Sequence, residues 1–205
     1  VENARKLGTP DLLIIPGSKN TISDMRFIRE SGFEIKIRKL HDKEVPIIGI
    51  CGGYQILGEL IRDHAGVEGE RTEIAGLGLL PVSTSLQAQK ELAQVKGHTT
   101  DRYPFADNNT ELHGYEIHAG ATSMKDSEPC IEITKRREGK VSEAAGTASG
   151  NTFGCYVHGF FDSVEIKKQL ISYLLETKGI ADGIAIEDAP HTQDESLDHL
   201  AKVMS

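Results

Sequence analysis

A cysteine set among glycines lies between an apolar run and a helical pattern, in Gly49-Ile50-Cys51-Gly52-Gly53-Tyr54-Gln55. The run before it, VPIIGI at 45–50, reads as a buried strand. The stretch after it, YQILGELIRDH, carries Tyr54, Ile56, Leu57, Leu60 and Ile61 at helical spacing. A residue at such a strand-to-helix turn is held outward in a strained conformation, the nucleophile-elbow arrangement, here with a thiol in place of a hydroxyl. Neighbouring glycines allow close backbone approach and leave the sulfur open to a substrate. The start of the helix near Gly52 is expected to favour the thiolate and to lower the Cys51 pKa. The Gly52 amide is then a candidate oxyanion donor, and the turn Pro16-Gly17-Ser18 at a neighbouring strand end offers a second.

A thiol nucleophile needs a base, and among the eight histidines His158 is the best placed, at the end of the apolar stretch FGCYVHG just before a glycine. Cys155 lies three residues earlier, so on a continuous strand it faces the other way and sits about 10 Å off. Cys155 and Cys130 read as packing residues. Glu116, Asp162 and Glu165 are candidates for a third group orienting His158, and no spacing singles one out. His118, in HGYEIHAG, is open between a substrate or interface role and a structural one.

The elements that position these residues alternate in type. DLLII (11–15), stopped by Pro16-Gly17, suits a strand buried on both faces. A helical pattern runs from Ser23 to a glycine cap at Gly32. Short strands and loops are expected over 65–112, with strands at HGYEIHAGAT (113–122), IEIT (131–134) and FGCYVHGFF (153–161), the first two in a more exposed, mixed sheet region. Asp162, three residues before Glu165, resembles a capping box for a helix through EIKKQLISYLLETKG that Gly179 can end. Beyond it, IEDAPHTQDE reads as loop and SLDHLAKVM as a short final helix. The pattern is that of a three-layer α/β fold with a mostly parallel central sheet and helices on both faces.

Composition bounds the function. The 205 residues suit one domain, 1–205, with a core over about 10–178. With 23 Lys+Arg against 31 Asp+Glu the net charge is −8, the wrong sign for a broad phosphate-neutralising face, so no nucleic-acid partner is expected. No apolar run reaches the roughly 18 residues of a membrane span, and no signal-peptide core opens the chain, so the expected setting is cytoplasmic, without a membrane partner. Three cysteines are too few for a disulfide framework. Nothing has the HExxH or CxxC spacing of a metal site, Gly76-Leu77-Gly78 lacks the setting of a dinucleotide loop, and no P-loop is present. No metal or cofactor is therefore expected in this domain. The first strand follows within about 11 residues, which predicts a chain lacking its fold's first strand and forming the C-terminal part of a longer enzyme.

DLLIIPGSKNT, GICGGYQILG, GLGLLPV, HGYEIHAGAT and GCYVHGFF occur in this order. Together they resemble the glutamine amidotransferase domain of cobyric acid synthases, in the class I (triad) amidotransferase superfamily with its flavodoxin-like sheet. The resemblance covers about residues 10–178. It implies that Cys51 is the nucleophile and His158 its base, that the amides of Gly17, Ser18 and Gly52 hold the oxyanion, and that Gln55 contacts the bound L-glutamine. It further implies an N-terminal synthetase domain that uses ATP and magnesium and passes the released ammonia to a corrinoid acceptor, adenosylcobyrinic acid a,c-diamide. Many class I members carry a glutamate two residues after the histidine; here that position is Phe160, so a Cys-His dyad is the simpler expectation. Other readings are the glutaminase of a lipid II isoglutaminyl synthase or a cobyrinate a,c-diamide synthase, a non-catalytic binding domain of the same fold, and a cysteine hydrolase or peptidase.

Overall fold

The computed structural model describes residues 3–180 apart from 70, 106 and 126; the loop and short helix expected after 180 lie outside the described residues. In chain order the strands are β1 Leu13–Ile15, β2 Ile47–Ile50, β3 Leu60–Asp63, β4 Thr72–Ala75, β5 Val82–Thr99, β6 Glu111–Met124, β7 Ile131–Arg136, β8 Gly139–Ala145, β9 Thr147–Ser149, β10 Thr152–Cys155 and β11 Val157–His158. The helices are α1 Thr21–Glu30, α2 Phe33–His41, α3 Gly52–Leu57 and α4 Val164–Thr177.

Two sheets meet at the site. The first runs β1-β2-β10-β9, with β1, β2 and β10 parallel and β9 antiparallel at the edge. All four residues of β2 and all four of β10 are buried, as expected of strands covered on both faces. Ile47 packs with Ile22 and Met25 of α1 and Phe33 and Ile37 of α2, whereas its neighbour Ile48 packs with Phe153, Ile131 and Ile166 of α4. Helices thus lie on both faces of this sheet, in agreement with the α/β class. The second sheet, β11-β6-β5-β3-β4 with β7 and β8 attached to β5, is largely antiparallel and holds most of the strands.

Several local expectations are corrected. The first helix begins at Thr21, capped by the Asn20 side chain, which accepts from the Ser23 amide at 2.8 Å. It ends as expected before left-handed Gly32, but a further helix, α2, follows at once. The helix after Cys51 stops at Leu57 because Gly58 turns out of helical geometry (ψ −178°) against β5, and Leu60–Asp63 continues as a strand of alternating burial. Where only short strands and loops are expected, β5 runs for 18 residues. FGCYVHGFF is not one strand: β10 ends in the first sheet, Tyr156 bridges, and β11 joins β6 in the second. The cap of α4 is Ser163, whose hydroxyl accepts from the Ile166 amide, in place of Asp162. Gly179, with φ +67°, ends α4 as expected. No helix among the described residues is long and apolar enough to cross a membrane.

Candidate active site

The β2 ladder extends one residue past the strand, where the Cys51 amide donates to the Cys155 carbonyl at 2.9 Å. The chain then reverses at Cys51, whose φ of +54° and ψ of −110° lie outside the regions comfortable for an L residue. This strain is held by close packing around the elbow. A Cβ on Gly53 would stand 2.0 Å from the Ile15 carbonyl oxygen, and one on Gly52 would stand 2.6 Å from Ser18 Cβ and 2.7 Å from Ser18 N. The elbow glycines are therefore the contact surface on which the Pro16-Gly17-Ser18 turn rests.

His158 arrives from the other sheet. It closes β11 opposite Tyr115 of β6, and the two rings stack with centroids 5.2 Å apart and 3° between planes. A Cβ built on Gly17 would lie 3.2 Å from His158 Cε1 and 3.7 Å from Cys51 Cβ, so Cys51, His158 and the Pro16-Gly17-Ser18 turn converge on one point. His158 Nε2 is buried and has no hydrogen-bond partner among the described residues. The Cys51 thiol donates to the Ile117 carbonyl at 3.2 Å.

The electrostatics correct one expectation. Burial, with Cys51 only 8% exposed, raises its thiol pKa above the ordinary value; the Gly52 amide opposes this, and the Glu116 charge adds to it. The six-residue α3 therefore does not bring the thiolate within reach of neutral pH by itself.

Gln55 lies one helical turn past Cys51 and is buried. Its Oε1 accepts from the Thr21 hydroxyl at 2.9 Å and its Nε2 donates to the Tyr156 hydroxyl at 3.1 Å. Tyr156 continues to Thr122 at 2.5 Å, and Thr122 to Thr84 at 2.7 Å. His118 stacks on Tyr156 with centroids 4.0 Å apart, and its Nδ1 is 2.8 Å from the Gly120 carbonyl. His118 thus borders the same wall as Gln55. No amide of Gly17 or Ser18 donates to another group among the described residues.

Of the candidate third groups, none hydrogen-bonds the His158 ring among the described residues. Glu116 is opposite Val157, on the face away from the Tyr115–His158 pair, and is ion-paired at 2.8 Å to Arg136. Glu165 accepts from Gln169 Nε2. Asp162 has its Oδ2 2.8 Å from where a Gly159 Cβ would sit. Phe160 is 1% exposed within an aromatic cluster of Tyr103, Phe153 and Phe161. Cys130 and Cys155 are free and buried, as expected of packing residues. No group of three or more His, Cys, Asp or Glu among the described residues is placed to hold a metal ion. The roles of Thr21, Tyr115 and Tyr156 were not readable from local sequence; each acquires its place through a partner on a distant segment.

Fold and site bring a strained cysteine and a histidine together beside a glycine turn on an α/β sheet, an arrangement suited to acyl transfer. Residues 1–166 match the CobB/CobQ-like glutamine amidotransferase domain, and the chain belongs to that family. It is similar to the cobyric acid synthases of Moorella thermoacetica, at 42% identity over 98% of this chain and 40% of the relative, and of Clostridium acetobutylicum, at 39% identity over 100% and 40%. The chain thus spans about 40% of the length of these relatives. In fold it is similar to PurLQS from Thermotoga maritima, with a TM-score of 0.59, 20% identity and 82% of each chain covered. It is also similar to a crystal structure of a glutamine amidotransferase, with a TM-score of 0.57, 18% identity and coverage of 87% of this chain and 85% of that one.

Proposed function

We propose that this chain is the glutaminase domain of a cobyric acid synthase, with Cys51 and His158 as its catalytic dyad. The observation that carries the reading is the convergence of the strained Cys51, His158 and the Gly17 turn on a single point. In the first half-reaction His158 takes the thiol proton, and sulfur attacks the carboxamide carbon of glutamine. The carbonyl electrons move onto oxygen, where the amides of Gly17, Ser18 and Gly52 receive them. The intermediate collapses as His158 returns the proton to nitrogen, releasing ammonia and leaving a glutamyl thioester. Water, deprotonated by His158, attacks the thioester, and the thiol leaves with the proton, giving glutamate. Gln55, held by Thr21 and Tyr156, shapes the wall that receives the substrate.

The ammonia is used in this reading by an ATP- and magnesium-dependent synthetase part of the longer polypeptide, which amidates carboxylates of a corrinoid, adenosylcobyrinic acid a,c-diamide. The 42% identity to a cobyric acid synthase supports that acceptor, and a cytoplasmic site follows from the same reading. The test is treatment with 6-diazo-5-oxo-norleucine followed by intact-mass analysis and peptide mapping. A single adduct on Cys51, absent from Cys51→Ala, is expected; an unlabelled folded chain, both alone and joined to its synthetase part, would refute the glutaminase reading.

A further inference from the structure

A carboxylate outside the dyad ties down the segment that carries the oxyanion turn. The loop after β3 folds back on Asp63, which is fully buried and accepts from the amides of Val67 at 2.7 Å and Glu68 at 2.8 Å. This directs Glu68 at the start of α1. Its Oε1 accepts from the Thr21 amide at 3.0 Å, its Oε2 from the Ile22 amide at 2.9 Å, and its backbone carbonyl from Asn20 Nδ2 at 3.0 Å. Three consecutive residues are thereby tied to one.

Two lines lead from them to the site. The Asn20 amide donates to Ser18 Oγ at 3.0 Å, and Ser18 Oγ donates to Asp24 at 2.5 Å, which fixes the turn resting on Gly52. The Thr21 hydroxyl donates to Gln55 Oε1 and so sets the pocket wall. The first amides of a helix need acceptors, and a capping carboxylate satisfies two at once here. A cap alone would be structural. Its place a few residues from the oxyanion donors makes it more, because donor distance decides how well a developing charge is held.

Resting on the glutaminase reading, we propose that Glu68 is a positioning residue: by clamping residues 20–22 it holds the Gly17 and Ser18 amides and Gln55 in catalytic register. The test compares two reactions of Cys51. Glutamate γ-semialdehyde is attacked at its aldehyde carbon, the thiol proton passes to His158, and the resulting oxyanion needs the turn. Iodoacetamide loses iodide to the thiolate by direct displacement and needs no oxyanion donor.

In Glu68→Ala, aldehyde affinity and kcat for glutamine should each fall about 30- to 100-fold, less than the outright loss of an oxyanion donor, while the iodoacetamide rate stays within about threefold. Glu68→Gln, which keeps the shape and one good acceptor, should recover to within about fivefold of the parent. Aldehyde affinity unchanged in Glu68→Ala, or lost in proportion to the alkylation rate, overturns the inference. Should Glu68→Ala fail to fold, Glu68→Asp, which withdraws the carboxylate by one methylene from the two amides it spans, decides instead: weaker aldehyde binding at unchanged alkylation supports the inference, and parent-like binding overturns it. A parent protein that is alkylated at Cys51 but never takes the aldehyde overturns the glutaminase reading, and this inference with it.

Discussion

Burial holds the Cys51 thiol protonated at rest, and its proton points at the Ile117 carbonyl rather than at a base. Reactivity toward a small alkylating agent should therefore track the thiolate fraction upward, about tenfold per pH unit, through and beyond the ordinary thiol value near 8.5. Cys130 is pushed up to about 12 by burial, and Cys155, fully enclosed, is raised further still, so neither competes. Native iodoacetamide labelling followed by peptide mapping should find Cys51 alone modified, with no plateau below pH 8.5. A plateau near neutrality would reveal a preformed thiolate–imidazolium pair and contradict the raised value. The meeting of Cys51 with His158 was legible in the sequence because a strained elbow and a strand-end histidine both leave local marks. The direction of the Cys51 shift was not, since helix polarity can be read from spacing whereas desolvation depends on what the rest of the chain places over the sulfur. Glu68 and Tyr156 were hidden for the same reason: their partners, Thr21, Ile22, Gln55 and Thr122, lie on other segments.

At the scale of elements, the elbow works only if α3 sits hard against β1. A methyl on Gly53 would meet the backbone carbonyl oxygens of Ile15 at 2.0 Å and Pro16 at 3.0 Å, and neither can move without shifting the strand or the Pro16-Gly17-Ser18 turn. Gly53→Ala should cost about 3 kcal/mol or more, the upper end of overpacking effects, and should abolish Cys51 labelling by a glutamine analogue. Gly150, with φ +56° and open space around its Cβ position, serves as the control. Gly150→Ala should cost only about 1 kcal/mol, from backbone strain, and leave labelling intact. Urea unfolding of both variants checks the pair; equal losses would mean that the elbow tolerates separation from β1. β1, β2 and β6 were readable because apolar continuity or alternation survives in short windows. The helical spacing of Leu60 and Ile61 from Tyr54 and Leu57 is coincidental: past Gly58 the Glu59 amide donates to the Val82 carbonyl, 23 residues on, and the chain leaves the helix. The break of FGCYVHGFF at Tyr156 was equally invisible, since the choice between sheets is made by β2 and β6.

Across the whole molecule, the four-stranded sheet separates two hydrophobic clusters, one under α1–α3 and one shared with α4, β7 and the aromatic residues Tyr103, Phe105 and Phe160. Tyr156 packs against both clusters, and Cys51 and His158 come from the two sheets that meet beside it. The site therefore exists only when both halves are folded, which calls for one cooperative unfolding transition rather than two. Ile37 of α2 and Ile166 of α4, 4% and 0% exposed, lie in different clusters. Ile37→Val and Ile166→Val should each cost about 0.5–1.5 kcal/mol, the usual loss for one buried methylene. With the sheet between them and each in its own cluster, the double variant should show the sum to within about 0.5 kcal/mol. Denaturant melts followed by far-ultraviolet circular dichroism and by loss of Cys51 labelling should coincide in all three proteins. Coupling above about 1 kcal/mol would mean that strain crosses the sheet. Labelling that fails at lower denaturant than the helices melt would instead mean that the two halves part before they unfold, and that the meeting of Cys51 with His158 is the weakest contact in the fold.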